Sequence, residues 1–336
     1  MKNNIPRPDV AVIILNWNGA DMLEKYLPSV VAHTPSNIAD VIVADNGSTD
    51  GSVELLRTRF PEVKLLEFDT NHGFAGGYNR AIEQTRYRYT VLLNSDVEVK
   101  DDWLTPLWLY MSTHPEVGAV QPKIRSLLKP EMFEYAGAAG GFLDCNGYPY
   151  CRGRIFDTVE RDNGQYDSVV EVFWATGAAL MVDTDLYVKL GGLDVDFFAH
   201  MEEIDLCWRI HLDNRKIVVV PDGVVYHLGG GSLPADNPRK TYLNFRNSLL
   251  MLHKNLPDSS RGRRLLKRRL LDTIAWCKFV ATFDFANAGA VWRAHRDFAR
   301  MRAGYTSHPS VDLLDSFPGT NRNILIDYYL KRNRKY

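Results

Sequence analysis

The chain has 336 residues, of which 45% are hydrophobic and 24% charged, and its formal net charge is −1. These values are typical of a globular protein with one large α/β domain, alone or with an appendage. The near-neutral charge gives no support for a nucleic-acid partner, and we predict none. No apolar stretch is long enough to span a membrane, and the N-terminus lacks an apolar signal core, so we expect a cytoplasmic protein.

The first hundred residues alternate between predicted strands and predicted helices. Short apolar runs that suit buried strands lie within residues 10–18, 40–52, 63–69 and 89–96. Apolar residues at helical spacing follow at 20–33, from Val53 to Phe60, and at 71–85 after a glycine-rich loop. This alternation with short connections predicts a mostly parallel, doubly wound α/β sheet with helices on both faces.

Three of these predicted strands end in polar residues. The tips are Asn16–Asn18, Asp45–Ser48 and Asn94–Asp96. Ligands of such sheets bind at the carboxyl ends of the strands. We therefore expect the three tips to form one rim of a shared pocket.

The alternation weakens after residue 120. Residues 125–170 suggest loops and antiparallel strands, and 173–192 is an apolar segment with a Thr-Gly break followed by a helix. We predict a buried helix at 196–214 and a strand, turn, short strand and glycine loop at 216–232. The composition shifts near Pro257, which divides a catalytic domain at 1–256 (a nucleotide-binding half at 9–120 and an acceptor half at 121–256) from a helical extension at 257–336.

The four cysteines show no CxxC pair, and we expect reduced thiols. Cys145 and Cys151 are close enough in sequence to leave a loop disulfide as an alternative.

Asp96 is the first candidate for metal binding. An aspartate after a strand commonly caps a helix or forms a turn. However, a divalent cation that is bound together with a diphosphate needs few protein ligands, so one carboxylate at this position suffices. Asn94 offers a neutral oxygen or a hydrogen bond to a ribose hydroxyl. Asp45 accepts from a nucleobase or ribose while Ser48 or Asp50 caps the next helix.

The segment 71–79 has three glycines, which allow the backbone to approach a ligand closely. A simple tight turn is the alternative explanation. Neither a P-loop nor a GxGxxG motif after the first strand is present, which argues against P-loop NTPases and ordinary dinucleotide enzymes.

Glu202 and Glu203 lie among aromatic residues near the predicted start of a helix. Acidic residues are favoured there by the helix dipole, but a partly buried carboxylate also has a raised pKa and can act as a general base. Asp205 and Arg209 are spaced to pair on one helix face. His227 precedes three glycines and has the chemistry of a metal ligand, although a lone histidine is more often structural.

Seven segments taken in order resemble family 2 glycosyltransferases of the GT-A fold, most closely a bacterial rhamnosyltransferase-like branch. The segments are VIILNWNG, VIVADNGSTDGS, NHGFAGGYNRA, LLNSDVEV, TGAALMV, FFAHMEEIDLCWR and VVYHLGGGS, within residues 9–255. The resemblance implies inverting transfer of one sugar from a nucleotide-diphosphate sugar. It also implies Mn²⁺ or Mg²⁺ as cofactor, a dTDP- or UDP-sugar as donor, and a glycan or lipid-linked saccharide as acceptor in cell-surface polysaccharide synthesis.

The resemblance also assigns roles to residues. The DxD motif of the family falls on Asn94-Ser95-Asp96 and departs from the pattern at its first position, so Asp96 and His227 are the implied metal ligands. Glu203 is favoured as the catalytic base, with Glu202 as the alternative. The residues expected to bind the donor are Asn16, Asn18, Asp45, Asn71, Gly76, Asn79, Asn94, Ser95 and Arg246. Arg246 and the loop 229–232 are expected to close over the diphosphate.

Two other functions remain as alternatives. A nucleotidyltransferase acting on sugar phosphates would also use a metal-bound diphosphate, but it normally has a basic glycine-rich loop after the first strand, and LNWNG has no Lys or Arg. A catalytically silent nucleotide-sugar-binding protein is the non-enzyme alternative, and loss of Asp96 or of the acid pair would have supported it.

The C-terminal extension has six basic residues between Arg261 and Arg269, followed by apolar residues at helical spacing. One interpretation is a helical pair that packs on the catalytic domain with solvated basic faces. The other is peripheral contact of residues 261–302 with the inner membrane face, through the basic cluster.

Overall fold

The computed structural model describes residues 8–229 and 237–336. The strands in chain order are β1 (Val10–Asn16), β2 (Ala39–Asp45), β3 (Lys64–Glu67), β4 (Tyr89–Leu93), β5 (Val97–Val99), β6 (Val117–Ser126), β7 (Gly141–Leu143), β8 (Pro149–Cys151), β9 (Arg154–Ile155), β10 (Thr158–Val159), β11 (Val170–Glu171), β12 (Ala179–Asp183) and β13 (Lys216–His227). The helices are α1 (Ala20–Ala32), α2 (Ser52–Arg59), α3 (Gly73–Thr85), α4 (Thr105–Thr113), α5 (Thr184–Lys189), α6 (Glu202–Leu212), α7 (Pro238–Asn255), α8 (Asp258–Ala281), α9 (Phe285–Met301) and α10 (Leu313–Ser316).

A nine-stranded mixed sheet forms the centre of the molecule, in the order β11-β13-β6-β12-β4-β1-β2-β3, with β5 paired to β13. The strands β4, β1, β2 and β3 run parallel, and so do β6 and β13. The strand β12 lies antiparallel between β4 and β6 and joins the two parallel groups. The predicted α/β class with a mostly parallel sheet is confirmed. A smaller sheet, β10-β9-β8-β7, is built from the region predicted as loops and antiparallel strands.

The apolar run of β1 is buried on both faces of the sheet. Ala11 and Ile13 belong to one hydrophobic cluster, whereas Val10, Val12 and Ile14 belong to the other. Successive side chains of a strand point to opposite faces, so a continuous apolar run is needed where helices cover both sides. This explains why the strand carries no polar residue before its tip.

Two predicted elements differ in the structure. The predicted strand, turn and short strand at 216–227 form one strand, β13, whose pairing with β6 shifts register between Val220 and Val224. The helix predicted from 196 begins only at Glu202, because Phe198, His200 and Met201 have left-handed backbone conformations with φ of 67°, 68° and 74°. Such conformations interrupt a right-handed helix.

The helical extension packs onto the rest of the chain. Helix α7 packs on α9 and α8, and the buried side chains Phe298, Leu314 and Ile324 share a hydrophobic cluster with the central sheet. The hydroxyl of Tyr150 on the small sheet donates to the carbonyl of Gly319 at 2.8 Å. Within residues 8–229 and 237–336, no helix has the length and apolar character needed to cross a membrane. All four cysteines are free thiols, so the alternative disulfide is absent.

Candidate active site

The polar tips of β2, β1 and β4 lie side by side, because these three strands are neighbours in the sheet. Asn16 is in register with Asp45, and its amide donates to the Asp45 carboxylate at 2.9 Å. The other Asp45 oxygen accepts from the backbone N–H of Ser48 at 2.9 Å. The backbone of Asn18 is tied to Ser48 across the same edge. The tips are therefore aligned at one edge of the sheet, but of their residues only Asn94 and Asp96 line the cleft described below.

The turn after β4 brings Asp96 to His227. The strand ends at Leu93, and Asn94–Asp96 lead directly into β5, whose Val97 pairs with His227 at the end of β13. As a result, Nε2 of His227 lies 3.1 Å from Asp96 Oδ1 and 3.3 Å from Asn94 Nδ2. Ser95 lies on this turn between the two side chains that contact His227.

Asp96 and His227 form an ion pair, with 3.1 Å between Asp96 Oδ1 and His227 Nε2. A divalent cation held by both side chains would take the place of the Nε2 proton, because only neutral imidazole binds a metal. No group of three or more His, Cys, Asp or Glu side chains that could hold a metal occurs in the described ranges. A cation here therefore needs additional ligands from a diphosphate or water.

Glu134 is a member of this site that the sequence analysis missed. Its buried carboxylate lies 3.3 Å from Nδ1 of His227, on the side of the ring away from Asp96. Burial would lower the pKa of His227, but the carboxylates of Asp96 and Glu134 raise it to about 10. The pKa of Asp96 is lowered, because the interaction with His227 outweighs the effect of burial. Glu134 lies in an aperiodic segment that gave no sequence signal.

An open cleft of about 880 Å³ contains this site and the acid pair. Asn94, Asp96 and His227 line it together with Glu202 and Glu203. The volume is within the usual range for small-molecule sites. Lys129, Lys240, Asn244, His200 and Thr176 also line the cleft and were not among the predicted site residues.

The acid pair occupies the first turn of α6 and has a strongly perturbed environment. One oxygen of each carboxylate, Oε2 in both cases, is buried and has no hydrogen-bond donor in the described part of the chain. Burial raises the pKa of Glu203 to about 7, and burial together with the neighbouring Glu203 charge raises the pKa of Glu202 well above its usual value. In this pair the protonated form of Glu202 is favoured, and the pKa of Glu203 lies near neutral pH.

The segment before the acid pair is fixed by α7. Arg246 donates to the carbonyls of Asp196 and Phe197 at 2.9 and 2.8 Å. Asn247 donates to the carbonyls of Phe197, Ala199 and His200. Left-handed backbone at non-glycine residues costs about 1–3 kcal/mol per residue and persists where the surroundings enforce it. The five hydrogen bonds from Arg246 and Asn247 hold this segment in its left-handed conformation.

In the structure the guanidinium of Arg246 is engaged by the backbone carbonyls of Asp196 and Phe197, and its expected role over the diphosphate stays a prediction. Asn79 is also engaged elsewhere, with its amide bonded to Leu193 and Tyr187. Asn71 and Gly76 lie at the start of α3, where the buried Asn46 donates to Asn71. Residues 230–232 of the loop expected to close over the diphosphate lie outside the described residues.

The predicted pairing within α6 is present, with Asp205 and Arg209 2.8 Å apart. Lys254 and Asn255 of α7 also contact the fully buried Asp205. Asp205 is thus fully occupied with α7 and does not take part in the cleft.

The Asp96–His227 pair and the acid pair Glu202 and Glu203 therefore line one cleft beside a mixed α/β sheet. Residues 11–133 match the family described as Glycosyl transferase family 2. The N-acetylglucosaminyl-diphospho-decaprenol L-rhamnosyltransferase of Mycobacterium tuberculosis is 28% identical over 234 residues, which are 64% of this chain and 75% of the relative. The low-salt glycan biosynthesis hexosyltransferase Agl10 of Haloferax volcanii is 23% identical over 256 residues, 72% of this chain and 75% of the relative.

Two solved structures show the same fold. GalNAc-T7 with UDP, GalNAc and Mn²⁺ superposes with a TM-score of 0.57 at 16% identity, covering 77% of this chain and 49% of that one. The mannosyltransferase PcManGT from Pyrobaculum calidifontis, in complex with GDP-Man and Mn²⁺, superposes with a TM-score of 0.53 at 16% identity, covering 89% and 85%. The resemblance predicted from the motifs is confirmed: residues 11–133 match the family 2 glycosyltransferase model, and the chain shares the fold of these two solved glycosyltransferases.

Proposed function

We propose that the protein transfers a single sugar, with inversion, from a nucleotide-diphosphate sugar to a hydroxyl of a glycan or lipid-linked saccharide in cell-surface polysaccharide synthesis. The observation that carries this proposal is the presence in one cleft of the Asp96–His227 pair and of the acid pair Glu202 and Glu203, whose Oε2 atoms are buried and lack donors within the described ranges. The Asp96–His227 pair is suited to holding a cation against a diphosphate leaving group. The acid pair is suited to accepting a proton.

A cation is part of this proposal. The cleft carries charges of both signs: Asp96, Glu134 and Asp157 are acidic, Lys129 and Lys240 are basic, and the pKa of His227 is raised to about 10. A Mn²⁺ or Mg²⁺ ion held by Asp96 and His227 would neutralise the negative charge of the departing diphosphate.

The proposed chemistry uses Glu203 as the base. Glu203 accepts the proton of the acceptor hydroxyl, whose oxygen forms a bond to the anomeric carbon while the bond from that carbon to the diphosphate oxygen breaks. Attack on the face opposite the leaving group inverts the configuration in a single displacement. Glu202, whose pKa is raised further by the neighbouring charge, keeps its proton and leaves Glu203 as the ionised member of the pair.

The donor nucleoside is proposed to lie against the tips of β1 and β2. Asp45 and Asn16 end adjacent strands there, and Asn16 Oδ1 has no hydrogen-bond donor within residues 8–229 and 237–336. The rhamnosyltransferase of M. tuberculosis carries a diphospho-decaprenol acceptor in its name, which makes dTDP-rhamnose with a lipid-linked saccharide the first pair to test.

The test is nucleotide release with dTDP-rhamnose, UDP-hexoses and GDP-mannose, each in the presence of Mn²⁺ and a lipid-linked saccharide. We expect release from one donor that depends on acceptor, together with a product of inverted anomeric configuration. Turnover of UDP-hexoses alone would refute the rhamnose donor and retain the class. Donor binding without turnover of any donor would support the catalytically silent alternative.

A further inference from the structure

The outer face of α8 is apolar although it is exposed. Leu266, Leu270 and Ile274 are spaced four residues apart and are 62%, 61% and 66% exposed. The adjoining turn and the start of α9 add Phe283 and Phe285, which are 79% and 64% exposed. Trp276 and Trp292 are exposed on the same two helices and border a cavity of about 210 Å³ between them. We call these seven side chains the α8–α9 patch.

The inner face of α8 has the opposite character. Arg268 and Asp272 are buried, form an ion pair at 3.0 Å, and contact Tyr148 and His295. A helix of a globular protein normally turns its apolar stripe to the core and its charged residues to water. Here the buried face contains the charges, so folding of this chain alone does not explain the leucines and isoleucine outside.

Phe283 gives a second, independent indication. Its backbone is left-handed, with φ of 59°, a conformation for which glycine or asparagine is ordinary and a bulky residue is unusual. Its ring is exposed and contacts only the ring of Phe285, at 6.2 Å between centroids, among the described aromatic contacts. Neither local conformation nor packing therefore accounts for a phenylalanine at the tip of this turn.

The exposed charges around the patch are mostly basic, although Asp258 at the start of α8 is exposed and Asp297 pairs with Arg296 and Arg300. From Ser259 to Arg300 every exposed charged side chain is basic: Arg263, Lys267, Arg269, Lys278, Arg293, Arg296 and Arg300. The three acidic residues of this stretch, Asp272, Asp284 and Asp297, are buried or half-buried. Over the sequence, residues 257–336 carry 16 Lys and Arg against 7 Asp and Glu, whereas residues 1–256 carry 24 against 34.

The basic residues flank the apolar stripe of α8. At about 100° of rotation per residue, Leu266, Leu270 and Cys277 lie near the middle of the outer face. Lys267 and Lys278 lie on one side of that line, and Arg269 lies on the other. Three of the six residues in the predicted basic cluster, Arg261, Arg264 and Arg268, are instead paired with aspartates.

We propose that the α8–α9 patch binds the surface of an anionic lipid bilayer, with the apolar side chains in the headgroup region and the flanking cations at lipid phosphates. An apolar stripe between Lys and Arg residues, with aromatic side chains at its end, is the pattern of an interfacial helix. A second copy of the chain is a poorer occupant, because a two-fold interface would bring the same basic surface against itself.

This surface is separate from the candidate active site, since no residue of α8 or α9 lines the cleft. The proposal therefore does not depend on the proposed function. Vesicle binding measured without donor or acceptor keeps the two tests distinguishable.

Cys277 provides a direct probe. It is exposed in the middle of the stripe, whereas Cys151 and Cys207 are buried and Cys145 is half-buried. In a Cys145→Ser background, a polarity-sensitive thiol dye on Cys277 should shift to the blue with vesicles of phosphatidylcholine and phosphatidylglycerol. It should shift little with phosphatidylcholine alone. An unchanged spectrum with the anionic vesicles would overturn the proposal.

Vesicle sedimentation of the unlabelled protein then tests the residues. Each neutralised cation should lower the partition coefficient about fivefold, so Arg263→Gln, Lys267→Gln and Lys278→Gln together should lower it by about a hundredfold. The pair Phe283→Asn and Phe285→Ser should also release the protein, and Asn suits the left-handed backbone. Thermal melting checks that each variant remains folded.

Matched controls lie elsewhere on the surface. Arg332→Gln, Arg334→Gln and Lys335→Gln remove the same charge from the exposed C-terminal end, and Leu109→Ser with Val188→Ser removes two apolar side chains that are 54% and 55% exposed. These controls should still bind vesicles. Equal loss in the charge control, or a patch variant that turns a dimer into a monomer without changing vesicle binding, would overturn the proposal.

Discussion

Replacement of Glu203 by glutamine tests the role of the acid pair most directly. Glutamine keeps the size of the side chain at the first turn of α6 and removes only its ability to accept a proton. Glu203 lies beside Gly177, where an added Cβ would be 3.8 Å from the Glu203 Cβ and 3.7 Å from the Phe74 ring. We expect donor binding to stay near wild type.

The expected loss of turnover follows from the role of a general base, and its pH dependence follows from the pKa of Glu203. A positioned general base contributes about 10²–10⁴ to turnover, so kcat of Glu203→Gln should fall by that factor. In the wild type, burial raises the pKa of Glu203 to about 7, and the base acts in its ionised form. The ionised fraction is about nine-tenths at pH 8 and about one-tenth at pH 6. Therefore kcat/KM should rise with pH through about 7 and fall about tenfold per pH unit well below it.

The assay is nucleotide release across pH with saturating metal, for the wild type and for the two single variants. Glu202→Gln is the matched control, because glutamine imitates the protonated state that we assign to Glu202. It should retain substantial activity and an acidic limb near pH 7, since burial and not the Glu202 charge is the main cause of the Glu203 shift. An inactive Glu202→Gln with an active Glu203→Gln would reverse the assignment, and activity in both variants would refute it.

Three further predictions concern the same cleft. Asp96→Ala should abolish stimulation by Mn²⁺ or Mg²⁺, and full activity of that variant after treatment with a chelator would exclude the proposed metal site. Glu134→Gln should weaken Mn²⁺ affinity by about 10–100-fold, because the carboxylate orients the His227 ring; paramagnetic titration of Mn²⁺ measures this, and an unchanged affinity would assign Glu134 a different role. Glu202→Gln should raise the melting temperature at about pH 8 more than at about pH 5, because a raised folded-state pKa gives stability at low pH that is lost as pH rises; an equal shift at both pH values would contradict the buried charge.

The positions of the strand tips could be predicted from the sequence, because parallel strands have a regular and local pattern. Each apolar run ends in polar residues, and neighbouring parallel strands end at one edge of the sheet. The sequence alone therefore predicts that Asn16, Asp45 and Asn94 lie at the same edge. The i,i+4 pairing of Asp205 and Arg209 was also predictable, since helical spacing alone determines it. These inferences need only local periodicity.

The contacts that complete the site depend on long-range pairing. The three-residue strand β5 is too short to show in a periodic pattern, yet its pairing with β13 brings Asp96 to His227. Glu134 comes from a segment without periodicity, and only the tertiary structure brings its carboxylate to His227. Arg246 shows the same limit, because its place in the sequence gave no sign that its guanidinium binds the backbone carbonyls of Asp196 and Phe197.

The α8–α9 region shows that a hydrophobic pattern alone does not reveal which face of a helix is buried. The sequence has an apolar and a basic face on α8, and packing of the apolar face on the catalytic domain was the simpler interpretation. In the structure the ion pair of Arg268 and Asp272 is inside and Leu270 and Ile274 are outside. Periodicity gives the angle between two faces of a helix, but only the surroundings determine which face is buried.

The pairing of β5 with β13 also has a consequence for how the site is assembled. Asn94 and His227 are separated by 133 positions in the sequence, so a large part of the chain must be in place before these side chains meet. A long loop is closed at an entropic cost before its contacts form. The segment that matches the family, residues 11–133, contains Asp96 but neither His227 nor the acid pair. Affinity for the cation should consequently report completion of the sheet during refolding, and a fragment limited to that segment should lack it.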